Sequence, residues 1–319
     1  MLGYSHFHSF KQVVRLGVHF KFSYIPFKFY NKMSTYTSVQ RGTTNTTDFK
    51  IYFKNSQGFI SPFHDIPTFV DETSGIVNMV VEIPRWTNEK MEINVKEPLN
   101  PIKQDIKKGK LRFVHNCFPH VGYIWNYGAI PQTWENPEIK DEHTGYLGDN
   151  DPIDILEIGS RIAKRGEVLQ TKVLGCIALI DEGETDWKII SISKSDPLAE
   201  SVNDITDIDK YFPGLLKATV EWFRIYKIPD GKPENQFAFN GEFKNKDFAL
   251  KIVKETRNHW CSLIAKDESK ICRNNTTLND SSHKISFEEA EDIVNQSPPF
   301  KVGEPVDDSV GKWHFLHLK

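Results

Sequence analysis

The sequence predicts an α+β fold, mainly β with helices packed against it. Period-two alternation dominates the first two-thirds, helical spacing appears only in the last third, and no strict strand–helix–strand repeat runs between them. A β-barrel core flanked by helices, with long N- and C-terminal extensions, is the architecture such an order favours.

The N-terminal extension carries no Asp or Glu before Asp48, whereas Lys11, Arg15, Lys21, Lys28, Lys32 and Arg41 all precede it. Lys11, Arg15 and His19 recur every fourth residue, with Phe10, Val13, Val14 and Leu16 between them. A basic, acid-free, amphipathic start predicts a mitochondrial presequence over residues 1–35 and a matrix location. Met33 opens a plausible shorter chain, which predicts a second, cytosolic form.

Residues 50–265 show no internal repeat and no low-complexity linker, so a single domain is expected, with bounds at 36–266. In Val77–Ile83, Met79, Val81 and Ile83 fall on one face, with Asn78, Val80 and Glu82 on the other. After a turn over Pro84–Glu89, Met91, Ile93 and Val95 alternate with Lys90, Glu92 and Asn94. Pairing of these two strands would hold Glu82, Lys90 and Glu92 together, away from the apolar side. Leu111–Val114, Lys172–Ile180 and Lys188–Ser193 are further strand candidates. Pro213 suits the start of a helix carrying Leu216, Val220 and Phe223. A second helix over about Lys246–Lys266 carries Ala249, Ile252, Val253, Trp260, Leu263 and Ile264 on a stripe. Residues 267–319 form a polar C-terminal extension, expected to pack on the domain or to trail from it.

Composition narrows the function classes. A net charge of −3 gives no global argument for nucleic acid. No stretch approaches the roughly 18 uncharged apolar residues of a membrane span. Cys117, Cys176, Cys261 and Cys272 show neither a C-x-x-C pair nor zinc-ligand spacing, and read as reduced thiols.

The chemistry concentrates in Gly148-Asp149-Asn150-Asp151-Pro152-Ile153-Asp154. Most acidic turns are merely solvated, but this one runs straight into Ile155, Leu156 and Ile158. A second acidic segment, Asp181-Glu182-Gly183-Glu184-Thr185-Asp186-Trp187-Lys188, follows an apolar strand. Two carboxylates about 4 Å apart repel by about 4 kcal/mol at an effective dielectric near 20, so a close group of them needs cations. Oxygen ligands without Cys or His select Mg²⁺, Mn²⁺ or Ca²⁺. An EF-hand counted from Asp149 fails, because Asp154 stands where the loop needs Gly and Ser160 where it needs Glu. Arg112, Lys90, Lys188 and Lys227 are each unremarkable as surface charges. Beside a metal-seeking cluster they point to a phosphoryl ligand. With no G-x-x-x-x-G-K-[ST] and no G-x-G-x-x-G, a nucleotide cradle is absent and a small phosphate compound remains.

Asp149-Asn150-Asp151-Pro152-Ile153-Asp154 resembles the D-x-D-P-x-D signature of the family I soluble inorganic pyrophosphatases. Further blocks resembling that family occur in order: Val81–Trp86, Gly122–Gly128, Asp181–Lys188 and Phe223–Gly231. The likeness runs from about Phe53 to Lys266, with an echo at Lys312-Trp313. The long C-terminal extension and the basic N-terminus resemble a fungal mitochondrial member. The resemblance implies a five-stranded OB-like barrel, a homodimer, inorganic diphosphate as substrate, and about three to four Mg²⁺ per site, with Mn²⁺ as a substitute. It makes Asp149, Asp154 and Asp186 the main metal ligands, with Asp181 and Glu92 holding further ions. It assigns phosphate contacts to Arg112, Lys90, Lys188, Lys227, Tyr127 and Tyr226, the water-facing base to Asp151 and the proton donor to Tyr123. Glu82 and Glu135 take supporting places. Val121 and Trp125 depart from the family pattern, which carries His there. Neither would supply an oxygen ligand, and the departure bears on subunit contacts near Trp86 and Val121.

Other classes remain open. An OB-like nucleic-acid module would need a cationic groove with stacking platforms. A Mg²⁺-dependent phosphatase of organic esters would reveal itself in a substrate panel, and a catalytically silent paralogue by absence of turnover.

Overall fold

The computed structural model describes residues 35–317. The presequence and the start at Met33 lie outside the described residues.

Five strands pair in a closed ring. Ile76–Ile83 lies antiparallel to Val168–Asp181 on one side and to Asn126–Ala129 on the other. Asn126–Ala129 pairs antiparallel with Asp154–Glu157, which runs parallel to Glu184–Ser193. Glu184–Ser193 returns antiparallel to Val168–Asp181 and closes the circuit. Ring closure buries one face of Ile76–Ile83 and the helix over Lys246–Ala265 covers Val77, Met79 and Val81 on the other, so all eight of its residues are buried, Asn78 and Glu82 included. The expected polar face of this strand therefore points into protein.

The pairing expected between Val77–Ile83 and the segment after Glu89 does not form. Met91–Ile93 joins a separate sheet with Ile102–Gln104, Lys50–Lys54, Thr37–Arg41 and Phe59–Ile60. The reason lies in the connection. Trp86 adopts φ 65° and donates its N–H to the Tyr123 carbonyl, while the Tyr123 N–H returns to Thr87. The segment thus crosses to another layer instead of folding back as a hairpin. Glu82 still joins the two layers, because its Oε1 accepts the Ile93 N–H at 2.6 Å.

Helix α1 (Ile205–Tyr211) was not indicated by the sequence. It is capped by Asp204, with Asp207 completing a capping box. Helix α2 spans Leu215–Ile225 and begins after Gly214 rather than at Pro213. It delivers Trp222 and Phe223 to the core, where Trp125 stacks on Phe223 at 5.0 Å and donates its indole N–H to Thr219. Helix α3 spans Lys246–Ala265, capped by Asn245, and lays Ala249, Ile252 and Val253 over Val77, Met79, Val81 and Ile189.

Beyond α3 the chain packs on the body. Buried Asp65 accepts the backbone N–H groups of Thr276 and Thr277, and Asn100 donates to the Cys272 carbonyl. Helix α4 (Phe287–Asn295) buries Ala290 and Val294 beside Tyr52, Phe59 and Leu99. Residues 298–301 then run along residues 41–44, with Gly42 donating to the Pro298 carbonyl and Lys301 to the Gly42 carbonyl. No helix among the described residues is long and apolar enough to cross a membrane. The four cysteines are free thiols.

Candidate active site

The ring's register assembles the acids. Asp154 is the direct cross-strand partner of Lys188, and Ala129 stands opposite Asp154. Asp186 lies two residues before Lys188 on the same strand, so both side chains share a face. The Asp149–Asp151 turn is held from behind by Glu135: the Asn150 N–H donates to the Glu135 carbonyl, and the Glu135 N–H donates to the Asp151 carbonyl, both at 2.9 Å. Asn150 has φ 76°, and the Asp151 N–H also reaches Asp149 Oδ1 at 3.0 Å. Gly148 must be glycine here, because a Cβ would fall 2.4 Å from the Glu135 carbonyl carbon.

The separate sheet supplies the opposite wall. Lys90 donates its N–H to the Arg112 carbonyl, Arg112 to the Asp105 carbonyl, and Asp105 to the Lys90 carbonyl. This backbone triangle brings Lys90, Glu92, Asp105 and Arg112 to one rim. Together the two walls enclose a cavity of about 280 Å³ lined by Glu82, Lys90, Glu92, Arg112, Tyr123, Tyr127, Asp149, Asp151, Asp154, Asp181, Asp186, Lys188 and Tyr226. Lys227 reaches it by pairing with Asp181. Glu135 stands behind the floor, with a carboxylate oxygen within 4.8 Å of one on Asp149 and one on Asp186. All thirteen residues expected at the site and its two supporting acids therefore converge.

Every expected cation is already paired with an acid. Lys188 bridges Asp154 and Asp186, Lys90 meets Glu92, Lys227 meets Asp181, and Arg112 Nη1 lies 2.9 Å from Asp105. Buried charges demand this, since an unpaired one costs several kcal/mol of desolvation. Asp105 was not singled out from the sequence. It sits as a lone acid in the basic run Lys103–Lys110, and only its spacing from Arg112 hints at a partner. Tyr127 also differs from expectation in detail, since its hydroxyl donates to Asp154 and accepts from Lys188.

The acids outnumber the cations locally, and their protonation shows it. Burial, reinforced by Asp149 and Asp186, pushes Glu135 well above the usual carboxylate range. Asp149 is raised for the same reason, with Asp186 and Asp151 as its main repelling neighbours. Burial lifts Asp186 to about 7 despite Lys188, because Asp154 and Asp181 add repulsion. Asp151 keeps an open side to solvent, yet the protein around its carboxyl and the nearby Glu92 charge bring it to about 7. Burial would depress the Lys188 ammonium, but Asp154 and Asp186 outweigh it and hold it well above the ordinary lysine value. Burial takes Tyr123 up to about 12, and Tyr127 and Tyr226 well above their usual value.

This donor set fits divalent cations. Its ligands are all oxygens, their mutual repulsion calls for added positive charge, and the buried Oε2 of Glu135 has no hydrogen-bond partner among the described residues. A second group, Glu142, His143 and Glu255, is close-set too, but the Lys251 ammonium contacts Glu142 and Glu255 and lies 3.5 Å from the His143 ring nitrogen.

Comparison with known proteins agrees with the geometry. The family model for inorganic pyrophosphatase matches residues 79–261, more than half of the chain. An inorganic pyrophosphatase of Drosophila melanogaster is 61% identical over 91% of this chain and 86% of its own length. One from Kluyveromyces lactis is 56% identical over 88% of this chain and 98% of its own. The solved inorganic pyrophosphatase of Schistosoma japonicum superposes with a TM-score of 0.84 at 51% identity, covering 88% of this chain and all of that one. A truncated vacuolar soluble pyrophosphatase of Trypanosoma cruzi, solved in complex with PPi, gives 0.68 at 41% identity over 78% of this chain and 98% of that one. With an acid-lined cavity at its centre and relatives of this closeness along most of its length, the chain belongs to the inorganic pyrophosphatase family.

Proposed function

We propose that this chain hydrolyses inorganic diphosphate to two phosphates in the cavity between the strand ring and the Lys90–Arg112 wall, with Mg²⁺ as cofactor. The observation that carries the reading is the meeting of carboxylates and paired cations from distant segments around one small cavity. The volume suits a compact anion, and acids rather than aromatic platforms dominate the walls, which argues against a nucleic-acid groove.

Asp149, Asp154 and Asp186 would hold the metal, with Asp181 and Glu92 serving further ions. About three to four are expected, and Mn²⁺ is a substitute. Divalent cations bound there lower the pKa of a bound water and offset the charge of the substrate. Asp151, open to solvent and accepting no side-chain hydrogen bond among the described residues, takes the proton of the attacking water. Arg112, Lys90, Lys188, Lys227 and Tyr226 receive phosphoryl oxygens, each cation exchanging part of its present acid contact for them. Tyr127 serves through Asp154, which it orients. Tyr123 keeps its hydroxyl proton across neutral pH and directs it at the departing phosphate.

A homodimer and a mitochondrial matrix location belong to the same reading, with residues 1–35 as presequence, 36–266 as catalytic domain and 267–319 as extension. Exposed Trp86, Phe118, Val121, Trp313 and Phe315 support an interface, for Asn116 bridges to Trp313 and Phe118 stacks on Phe315 at 5.3 Å.

The decisive experiment is phosphate release from diphosphate with Mg²⁺, with Mg²⁺ plus fluoride, and with chelator, beside a panel of sugar phosphates and nucleotides. Turnover of diphosphate alone that vanishes with chelator is expected. Equal turnover of organic esters would overturn the assignment of substrate.

A further inference from the structure

We propose that a hydrogen bond from Trp134 to Asn150 is a positioning device that sets the metal affinity of Asp149 and the placement of Asp151. The inference rests on the diphosphatase reading above.

Asn150 separates two site acids but does not itself line the cavity. Its φ of 76° is a conformation that side chains other than Gly, Asn and Asp seldom adopt. What holds it there is visible on both sides of the peptide. Its N–H donates to the Glu135 carbonyl, and its side-chain Oδ1 accepts the Trp134 indole N–H at 3.2 Å. Trp134 is almost fully buried and is itself fixed from outside the site. Its N–H donates to the Thr256 carbonyl on α3, and the Lys266 ammonium lies 5.1 Å from its ring centre. A buried indole N–H needs some acceptor, and many would serve. Here the acceptor is the residue whose backbone orientation decides where Asp149 and Asp151 emerge. The bond therefore connects helix α3 to the acid turn through one rigid ring, and release of it frees the turn to relax.

The test compares Trp134→Phe, which removes the donor but keeps an aromatic ring, with Asn150→Gly, which tolerates the φ but loses the acceptor, and with the double variant. Mg²⁺ binding is followed calorimetrically without substrate, alongside kcat, KM and thermal midpoint. Each single variant should weaken Mg²⁺ binding about 10-fold and lower kcat at saturating metal, while KM for diphosphate changes little. The double variant should lose no more than the worse single one, since both remove the same bond. Unchanged metal affinity in the single variants, or losses that add in the double, would overturn the proposal. Asn150→Gly keeps the Trp134 ring and its packing in place, so its metal titration decides alone if Trp134→Phe fails to fold. An unaltered protein without turnover on diphosphate sinks the reading of the reaction instead. An active one whose variants match it sinks only the tie.

Discussion

Asp151 and Asp154 stand three positions apart in one acidic turn, yet their surroundings differ. Asp154 accepts from the Tyr127 hydroxyl and the Lys188 ammonium, whereas Asp151 faces solvent. An isosteric change should separate them. Asp151→Asn is expected to retain the fold and Mg²⁺ binding while lowering kcat by about 10²–10⁴-fold. Asp154→Asn is expected to weaken metal binding as well, because Lys188 loses half of its counter-charge. Calorimetric Mg²⁺ titration beside initial rates distinguishes the two, and similar mild losses in both with unaltered titrations would contradict these roles. At this scale the sequence was informative wherever acids cluster. The Asp149–Asp154 run announces itself, while Asp105, isolated among lysines, becomes visible only when the backbone brings it to Arg112. Spacing also says nothing of orientation, which is why the hydroxyl of Tyr127 turned out to face an acid.

At the scale of elements, the C-terminal extension shows how a polar segment becomes part of the body. His64 is fully buried beside Phe63, donates from Nε2 to the Cys272 carbonyl at 3.0 Å and accepts the Trp260 indole N–H at Nδ1. Both ring nitrogens are thus committed to the neutral form, and burial lowers its pKa to about 4. Below pH 6.5 the unfolded chain takes up a proton that the folded one refuses, so stability falls as pH drops towards 4. From pH 7 to 4.5 this should cost about 2–3 kcal/mol. Thermal unfolding at the two pH values should show a steeper decline for the unaltered protein than for His64→Gln; parallel declines would remove His64 as a cause. Only the short stripe of α4, Ala290 and Val294 behind the Ser286–Glu289 capping box, marks this attachment in residues 267–319; the other contacts are backbone groups meeting buried polar side chains and leave no periodic trace. The long elements were legible for the opposite reason: α3 and the Val168–Asp181 and Glu184–Ser193 strands carry sustained periodicity. Helix α1 has only seven residues, and several strands have two or three, too short for any period to register. Pro84–Glu89 has the composition of a hairpin turn but carries the chain to a different sheet, so Met91–Ile93 pairs with Ile102–Gln104 instead of Ile76–Ile83.

For the whole molecule, acids far apart in sequence fold around one cavity, and that arrangement has a thermodynamic cost without metal. Burial and mutual repulsion raise Asp149, Asp151 and Asp186 above the ordinary carboxylate range, so their contribution favours folding at low pH and fades as pH rises, for Asp151 and Asp186 through about 7. On the proposed reading, Mg²⁺ bound by these acids would displace their protons. Addition of Mg²⁺ at 100 times its dissociation constant should stabilise the fold by about 2.7 kcal/mol, with a larger increment at pH 8 than at pH 6. Calorimetric scans with and without metal measure it, and a midpoint indifferent to Mg²⁺ at both pH values would refute the metal reading. The ring of five strands was foreseeable as a barrel, but its closure depends on a parallel pairing, Asp154–Glu157 with Glu184–Ser193, that joins segments about 30 residues apart and leaves no local mark. The internal pairing of the site's own lysines and arginine with its acids carries one more implication. With Lys90, Arg112, Lys188 and Lys227 each balanced by an acid, the cavity offers a bare phosphate no unpaired one of these cations among the described residues. On the proposed reading, an anion that arrives with its own divalent cations is favoured over a bare one, because those ions offset the acids that the basic groups leave unbalanced.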